Sequence, residues 1–180
     1  MKNKFLTIAS AINRAGINDL LQHLEITDFY IAPASTKYHS SYKGGLLEHS
    51  IKVYERLTEL AKDKYSQETI AIVSLFHDLC KADYYAIDYR NVKQPDGTWE
   101  RVPYHTVNDK LPIGNHAEKS VFILQRFIKL SAEEIAAIRY HMGGFQDGDI
   151  RGCGNSWNKY PLGVMLHIAD LQATYLDEVR

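Results

Sequence analysis

The run Ile70-Ala71-Ile72-Val73-Ser74-Leu75-Phe76 is almost wholly apolar and ends in His77-Asp78. A helix that is apolar all round belongs inside a core. Here such a helix ends in an imidazole and a carboxylate side by side, and Lys81 follows three residues after the acid. Buried polar groups need partners. The question is then which of the other histidines and acids could reach the same point.

Composition narrows the class. The chain has 180 residues and 45% hydrophobic content, enough for one globular domain with a real core. Its formal net charge of -1 gives no global basic field for nucleic acid. No run approaches the ~18 apolar residues of a membrane span, so no membrane association is expected. The start, Met1-Lys2-Asn3-Lys4-Phe5, is basic, but Asn13, Arg14 and Asn18 interrupt the apolar stretch, unlike a signal peptide. Two cysteines, Cys80 and Cys153, make no disulfide framework, and a reduced, cytoplasmic compartment is expected.

Most of the chain reads as helix. Residues 3–14 carry Phe5, Ile8, Ala9 and Ile12 at helical spacing, Gly16 ends that segment, and a short helix around 18–25 follows. Residues 31–36 read as loop. Gly44-Gly45 precede a helix from Leu46 to about Lys62. Ser66 caps the next helix, which runs to about Cys80. In 84–105, two β-rich runs flank Pro95-Asp96-Gly97, which predicts a hairpin that covers or shapes something. Its tyrosines and Trp99 fill a buried face or, less often, stack on a base. Helices resume at about 114–129 and 132–142, the second opened by the capping box Ser131 and Glu134. Residues 143–159 hold five glycines and no periodicity, which predicts a long surface loop. A final helix spans about 160–178.

The remaining candidates fall on different segments. His49 lies in the Leu46–Lys62 helix, His116 starts the helix after the hairpin, His141 ends the capped helix and Asp170 sits in the last one. Helical bundles build metal sites in this way, from side chains on facing helices. Imidazole and carboxylate together suit Mn, Fe, Ni, Co or Zn better than Mg. An isolated acid in an apolar helix, as at Asp170, is costly unless paired or ligated. His167 shares the face of Asp170 and reads as a core or supporting histidine. His105 competes with His116 but lies in the hairpin, and His23 reads as surface.

The ordered set His49, His77-Asp78, His116, His141, Asp170 resembles the HD-domain superfamily of metal-dependent phosphohydrolases over residues 39–178. The segment from His39 through Gly44-Gly45 to His49-Ser50 is similar to the start of the HD domain in bacterial 3′-to-5′ exoribonucleases. Those enzymes show a second histidine where Ser40 stands. They also carry an oligonucleotide-binding β-barrel ahead of the domain, for which this chain has no room. The resemblance thus implies the fold and the metal site more than an RNA substrate.

Position by position, the resemblance implies that His49, His77, Asp78 and Asp170 bind a first divalent metal. Asp78 would bridge to a second, held by His116 and His141. Members with one metal lack the two later histidines, so two ions per chain are expected. Metal coordination makes water a nucleophile near neutral pH, and positive charge offsets the crowding phosphoryl oxygens. Asp78 and Lys81 are the catalytic candidates. Lys81 would meet a phosphate oxygen as a point charge, with Arg139, Lys119 and Lys43 as further substrate contacts and His39 at the entrance.

The expectation is an all-α, HD-domain helical bundle with one inserted β-hairpin: a single domain over 1–180, with the helices of 1–38 packed on it. It would hydrolyse a phosphate mono- or diester of a nucleotide or small phosphorylated metabolite. Nucleic acid as partner is possible but not favoured, and the oligomeric state is open. The same resemblance leaves two alternatives, a di-iron oxygenase and a non-catalytic module that binds a nucleotide.

Overall fold

The computed structural model describes residues 1–36, 40–145 and 148–178. The fold is mostly helical. Helices α1 (Lys2–Ser10), α2 (Ile17–Glu25), α3 (Gly45–Ala61) and α4 (Gln67–Phe76) come first, and a 3₁₀ turn, Leu79–Lys81, follows α4. Strands β1 (Tyr85–Lys93) and β2 (Trp99–Val107) then interrupt the helical order. Helices α5 (His116–Leu124), α6 (Ala132–Arg139), α7 (Ile150–Lys159) and α8 (Leu162–Gln172) follow, and α8 runs into a π-helical turn, Ala173–Asp177. No helix among the described residues is long and apolar enough to cross a membrane.

Helix α4 is the central element. The Ser66 hydroxyl accepts from the Thr69 amide at 3.1 Å and so caps its first turn. All seven residues from Ile70 to Phe76 are buried. Helix α3 packs against α4 on one side and α8 on another, while α6 also touches both α4 and α8. The N-terminal helices join the same core: Phe5 of α1 meets Phe76 edge-on at 5.7 Å and Phe29 at 5.3 Å. Arg14, between α1 and α2, ties this layer to the rest. It donates to Glu68 at the start of α4 and to the buried Glu134 at the start of α6.

Two glycines set the entry into α3. Gly44 caps it at φ 85, a left-handed conformation that L side chains rarely adopt. At Gly45 a Cβ would lie 2.0 Å from the Ser40 carbonyl oxygen, so only glycine lets the preceding loop close over the helix start. Capping boxes open α6 (Ser131 with Glu134) and α5 (Asn115 with Glu118). The second box makes His116 the first residue of its helix.

The hairpin is present as an antiparallel pair, Tyr85 opposite Val107 through to Lys93 opposite Trp99. Its aromatics depart from expectation, because Trp99 is 68% and Tyr89 51% exposed. These two do not fill a buried face, whereas Tyr84, Tyr85 and Tyr104 are half-buried. Arg101 lies over the Tyr89 ring at 4.6 Å and Arg90 over Tyr104 at 5.5 Å.

The expected loop over 143–159 is also corrected. Apart from a 3₁₀ turn, Gly143–Phe145, the segment holds α7. Asp149 caps α7 by accepting from the Gly152 amide at 2.8 Å. Cys153 is buried, and Trp157 packs over His167 at 5.2 Å. Glycines at 152 and 154 lower intrinsic helix propensity, but packing of one face outweighs it.

Candidate metal centre

The centre is built where helices end. His77 is the C-cap of α4, and His141 follows the C-cap of α6. Each ring donates its Nδ1–H to a carbonyl of its own last turn: His77 to Ser74 and His141 to Ile138, both at 2.8 Å. Carbonyls in the last turn of a helix are open to such side-chain donors, and the Ile138 carbonyl also accepts from the His141 amide at 3.3 Å. The ring's hydrogen bond leaves each Nε2 lone pair facing the interior. His49 comes from the second turn of α3, His116 from the first residue of α5 and Asp170 from the last two turns of α8.

These side chains converge. His49 Nε2 lies 3.1 Å from His77 Nε2 and 3.2 Å from Asp170 Oδ1. His116 Nε2 lies 3.3 Å from His141 Nε2. Asp78 stands between the two groups. Its Oδ2 is 3.5 Å from His77 Nε2 and 3.8 Å from His49 Nε2, whereas its Oδ1 is 3.7 Å from His116 Nε2 and 3.8 Å from His141 Nε2. Neighbouring ligands on one ion, at metal–nitrogen distances of about 2.1 Å, lie roughly 3.0–3.4 Å apart. Three sets of donors could each hold an ion: His49-His77-Asp78, His77-His141-Asp170 and Asp78-His116-His141.

The electrostatics suit a cation. Asp78 Oδ1 is buried and has no hydrogen-bond partner among the described residues, which is costly for a carboxylate oxygen. Burial works against charge on Asp78, but Lys81 at 2.6 Å and then the surrounding histidines hold its carboxyl well below the usual range. Asp170 is likewise lowered against its burial, chiefly by His49. Burial pushes His77 down, and takes His116 and His141 down to about 4, so all three are neutral donors at pH 7. His49 goes the other way. Burial lowers it, but hydrogen bonds to Asp170 and Glu178 and the charge of Asp78 raise it to about 9. A proton on His49 Nε2 therefore stands where a metal ion would. The donor set, the convergent lone pairs and the orphaned carboxylate oxygen all fit a divalent transition metal.

With this geometry in view, the comparison with known proteins is direct. Residues 46–177 match the family model described as HD domain. The chain belongs to the HD domain family. A curated relative, the dihydroneopterin 2′,3′-cyclic phosphate phosphodiesterase of Methanocaldococcus jannaschii, is 32% identical over 76 residues. That match covers 38% of this chain and 28% of the relative, so it spans less than a third of that enzyme's length. No solved structure matches the chain.

The six residues expected as HD-domain ligands thus lie in one cluster. Lys81 sits at its edge on Asp78 Oδ2, with Tyr85 at the base of the hairpin in electrostatic reach. The other expected substrate contacts are engaged elsewhere or lie apart. Arg139 pairs with Glu118 at 2.6 Å, Lys119 pairs with Asp109 at 2.5 Å, and Lys43 is exposed. His39 lies outside the described residues. His167 supports the centre from behind, donating from Nδ1 to the His141 carbonyl at 2.6 Å. His23 is half-buried against Phe127 rather than free at the surface. Sequence reasoning missed Glu178, which is buried and lies 2.6 Å from His49 Nδ1. Nothing local marks it, because its partner is 129 positions away.

Proposed function

We propose that this HD-domain chain is a two-metal phosphohydrolase that cleaves a phosphate mono- or diester of a nucleotide or small phosphorylated metabolite. The observation that carries this reading is the split of Asp78. One oxygen faces His49 and His77 and the other, unpartnered, faces His116 and His141. A carboxylate placed so can bridge two ions. His49, His77, Asp78 and Asp170 would hold the first, and Asp78, His116 and His141 the second. Bound metal would supply an activated water near neutral pH and positive charge for the phosphoryl oxygens.

The chain's own residues supply the rest. His77 and His141 are fixed in one tautomer by their carbonyl hydrogen bonds, so their donors need no reorganisation on binding. Lys81 lies 2.6 Å from Asp78 Oδ2 at the edge of the cluster, where its ammonium would meet a phosphate oxygen. The relative named for a 2′,3′-cyclic phosphate supports a phosphodiester among the substrates tried.

The test is metal analysis of protein purified without added metal, followed by assays of the Mn²⁺-loaded protein. The panel holds nucleoside mono- and triphosphates, 2′,3′-cyclic and cyclic dinucleotides, and generic phosphodiesters. Two ions per chain, and turnover of at least one ester that is lost in Asp78→Asn, are expected. Tight metal binding with no hydrolysis of any ester under any divalent metal would overturn the hydrolase reading. Substrate-dependent oxygen uptake by an iron-loaded form would replace it with an oxygenase.

A further inference from the structure

The imidazole of His49 is clamped between two carboxylates of the same C-terminal segment. Asp170 faces its Nε2 at 3.2 Å, and Glu178 faces its Nδ1 at 2.6 Å. Both His49 and the Glu178 carboxylate are fully buried. Glu178 accepts at both oxygens: Oε1 from His49 Nδ1–H, and Oε2 from the hydroxyl of the buried Ser40 at 2.5 Å. Accepting at both oxygens is the pattern of an ionised carboxylate.

The backbone is shaped to deliver this contact. Helix α8 ends as an α-helix at Gln172 and widens into the π-helical turn, with the Glu178 amide donating to the Ala173 carbonyl five residues back at 3.1 Å. The extra residue per turn shifts which side chain points where. Asp177 is turned outward to Arg56 at 2.8 Å, and its carbonyl accepts from Lys52 at 2.9 Å. Glu178 is turned inward to His49. The three α3 residues engaged, His49, Lys52 and Arg56, follow helical spacing and so form one face. That face grips the end of α8 at three points. On the other side, Ser40 is held at φ 46, a strained conformation for a residue other than glycine. Its carbonyl sits over Gly45 at the start of α3.

From this geometry we infer that Glu178 is a positioning residue for the metal centre, fixing the His49 ring with the proton on Nδ1 and the Nε2 lone pair toward the metal. The inference rests on the metal reading of the cluster. Glu178 touches no substrate in this role. It acts through His49, as a carboxylate behind a metal-ligating histidine does when it fixes the tautomer and raises ligand basicity. Ser40 and the π-helical turn in turn fix the carboxylate.

The experiment titrates Co²⁺ into the metal-free full chain and reads the cobalt absorption bands. The wild type is compared with Glu178→Ala and Glu178→Gln. The Zn²⁺-loaded forms are compared by ¹⁵N NMR of the His49 ring. Loss of the carboxylate is expected to weaken metal binding about 10–100-fold. The isosteric Gln, whose amide oxygen still accepts, should lose less than Ala. In the wild type, ¹⁵N shifts should show the proton on Nδ1 and metal on Nε2, with a hydrogen-bonded Nδ1–H signal that disappears in Glu178→Ala. A purely structural glutamate would lower the melting temperature but leave affinity and ring signal unchanged, and that result would overturn the inference. If Glu178→Ala does not fold, Glu178→Met, similar in shape but without an oxygen acceptor, decides: unaltered affinity and Nδ1–H signal overturn it. A wild-type chain that takes up no Co²⁺ overturns the metal reading as well, whereas a wild type that binds beside unaffected variants overturns the Glu178 role alone.

Discussion

The raised His49 predicts that the metal-free protein loses stability on mild alkalinisation. In the folded state the ring keeps its proton up to about 9; in the unfolded chain it loses it near 6.5. A group raised in the folded state stabilises fully below its unfolded pKa, and that stability is lost as pH rises through the folded one. Between pH 7.5 and 8.5 the native ring is mostly protonated and the unfolded ring is not, so stability should fall at nearly the limiting slope of 1.36 kcal/mol per pH unit. The expected loss is about 1 kcal/mol over this window, or about 2–4 °C in melting temperature for a chain of this size. The thiols of Cys80, which burial pushes up to about 12, and of Cys153, also raised by burial, would add to this slope because their unfolded counterparts titrate near 8.5, so the comparison is made in a Cys80→Ala/Cys153→Ala background. The assay is urea and thermal unfolding by circular dichroism, in EDTA, at steps of 0.25 pH units. With saturating Mn²⁺ the slope should vanish, because metal replaces the proton on Nε2. In His49→Gln without metal it should also vanish. A flat profile in the chelated wild type, or an unaltered slope in His49→Gln, would refute the assignment of charge inside the cluster.

The lowered histidines give the opposite arm. His116 and His141 fall to about 4, so their contribution is present above the unfolded 6.5 and lost as pH drops toward 4; from pH 7 to 5 the chelated protein should lose about 2 kcal/mol for each, read by the same unfolding assay. Lys81→Met should lower kcat/KM on a phosphate ester at least about tenfold with metal content unchanged, a loss of about 1.4 kcal/mol in transition-state stabilisation. The same variant should destabilise the chelated protein more than the loaded one, because it strips the buried Asp78 of its cation; equal destabilisation would contradict that role. Phe5→Ala should cost about 3–5 kcal/mol in urea unfolding, since the ring is fully buried against Phe29 and Phe76, and a cost below about 1 kcal/mol would mean that α1 is not part of the cooperative unit.

How much of this was legible in the sequence follows from the range of each interaction. Local signals carried well: Ser66 and Ser131 as caps, Pro95-Asp96-Gly97 as the hairpin turn, and the apolar run of α4 all act within a few residues. The six clustered residues were legible through their resemblance to the HD pattern, an ordered set of histidines and aspartates spread over separate helices. Helix α7 was not. Its glycines argue for a loop, and only the packing of Cys153 and Trp157 reverses the argument. Glu178 was not legible either, since its direction depends on a widened turn that no side chain in Ala173–Asp177 announces. The exposure of Trp99 and Tyr89 was misjudged for a related reason: alternation tells which residues share a strand face, but not whether that face has anything to cover it.

The charge of the centre links the number of metal ions to the choice of substrate. Three buried carboxylates, Asp78, Asp170 and Glu178, face two cations, Lys81 and the protonated His49. These side chains are therefore nearly balanced among themselves, which offsets part of the cost of holding so many ionisable groups inside a core. A bound metal would reverse the balance, because His49 would have to give up its proton to become a ligand. On the proposed reading, one divalent ion would leave the centre close to neutral: the ion and Lys81 together match the three carboxylates. A second would leave it with a net positive charge of about two, in a site of low dielectric where such an excess acts strongly. The two-ion state would then draw in an anionic phosphate ester more strongly than the one-ion state. His116 and His141, neutral donors that bring a second cation without adding negative charge, are the residues that would make the difference.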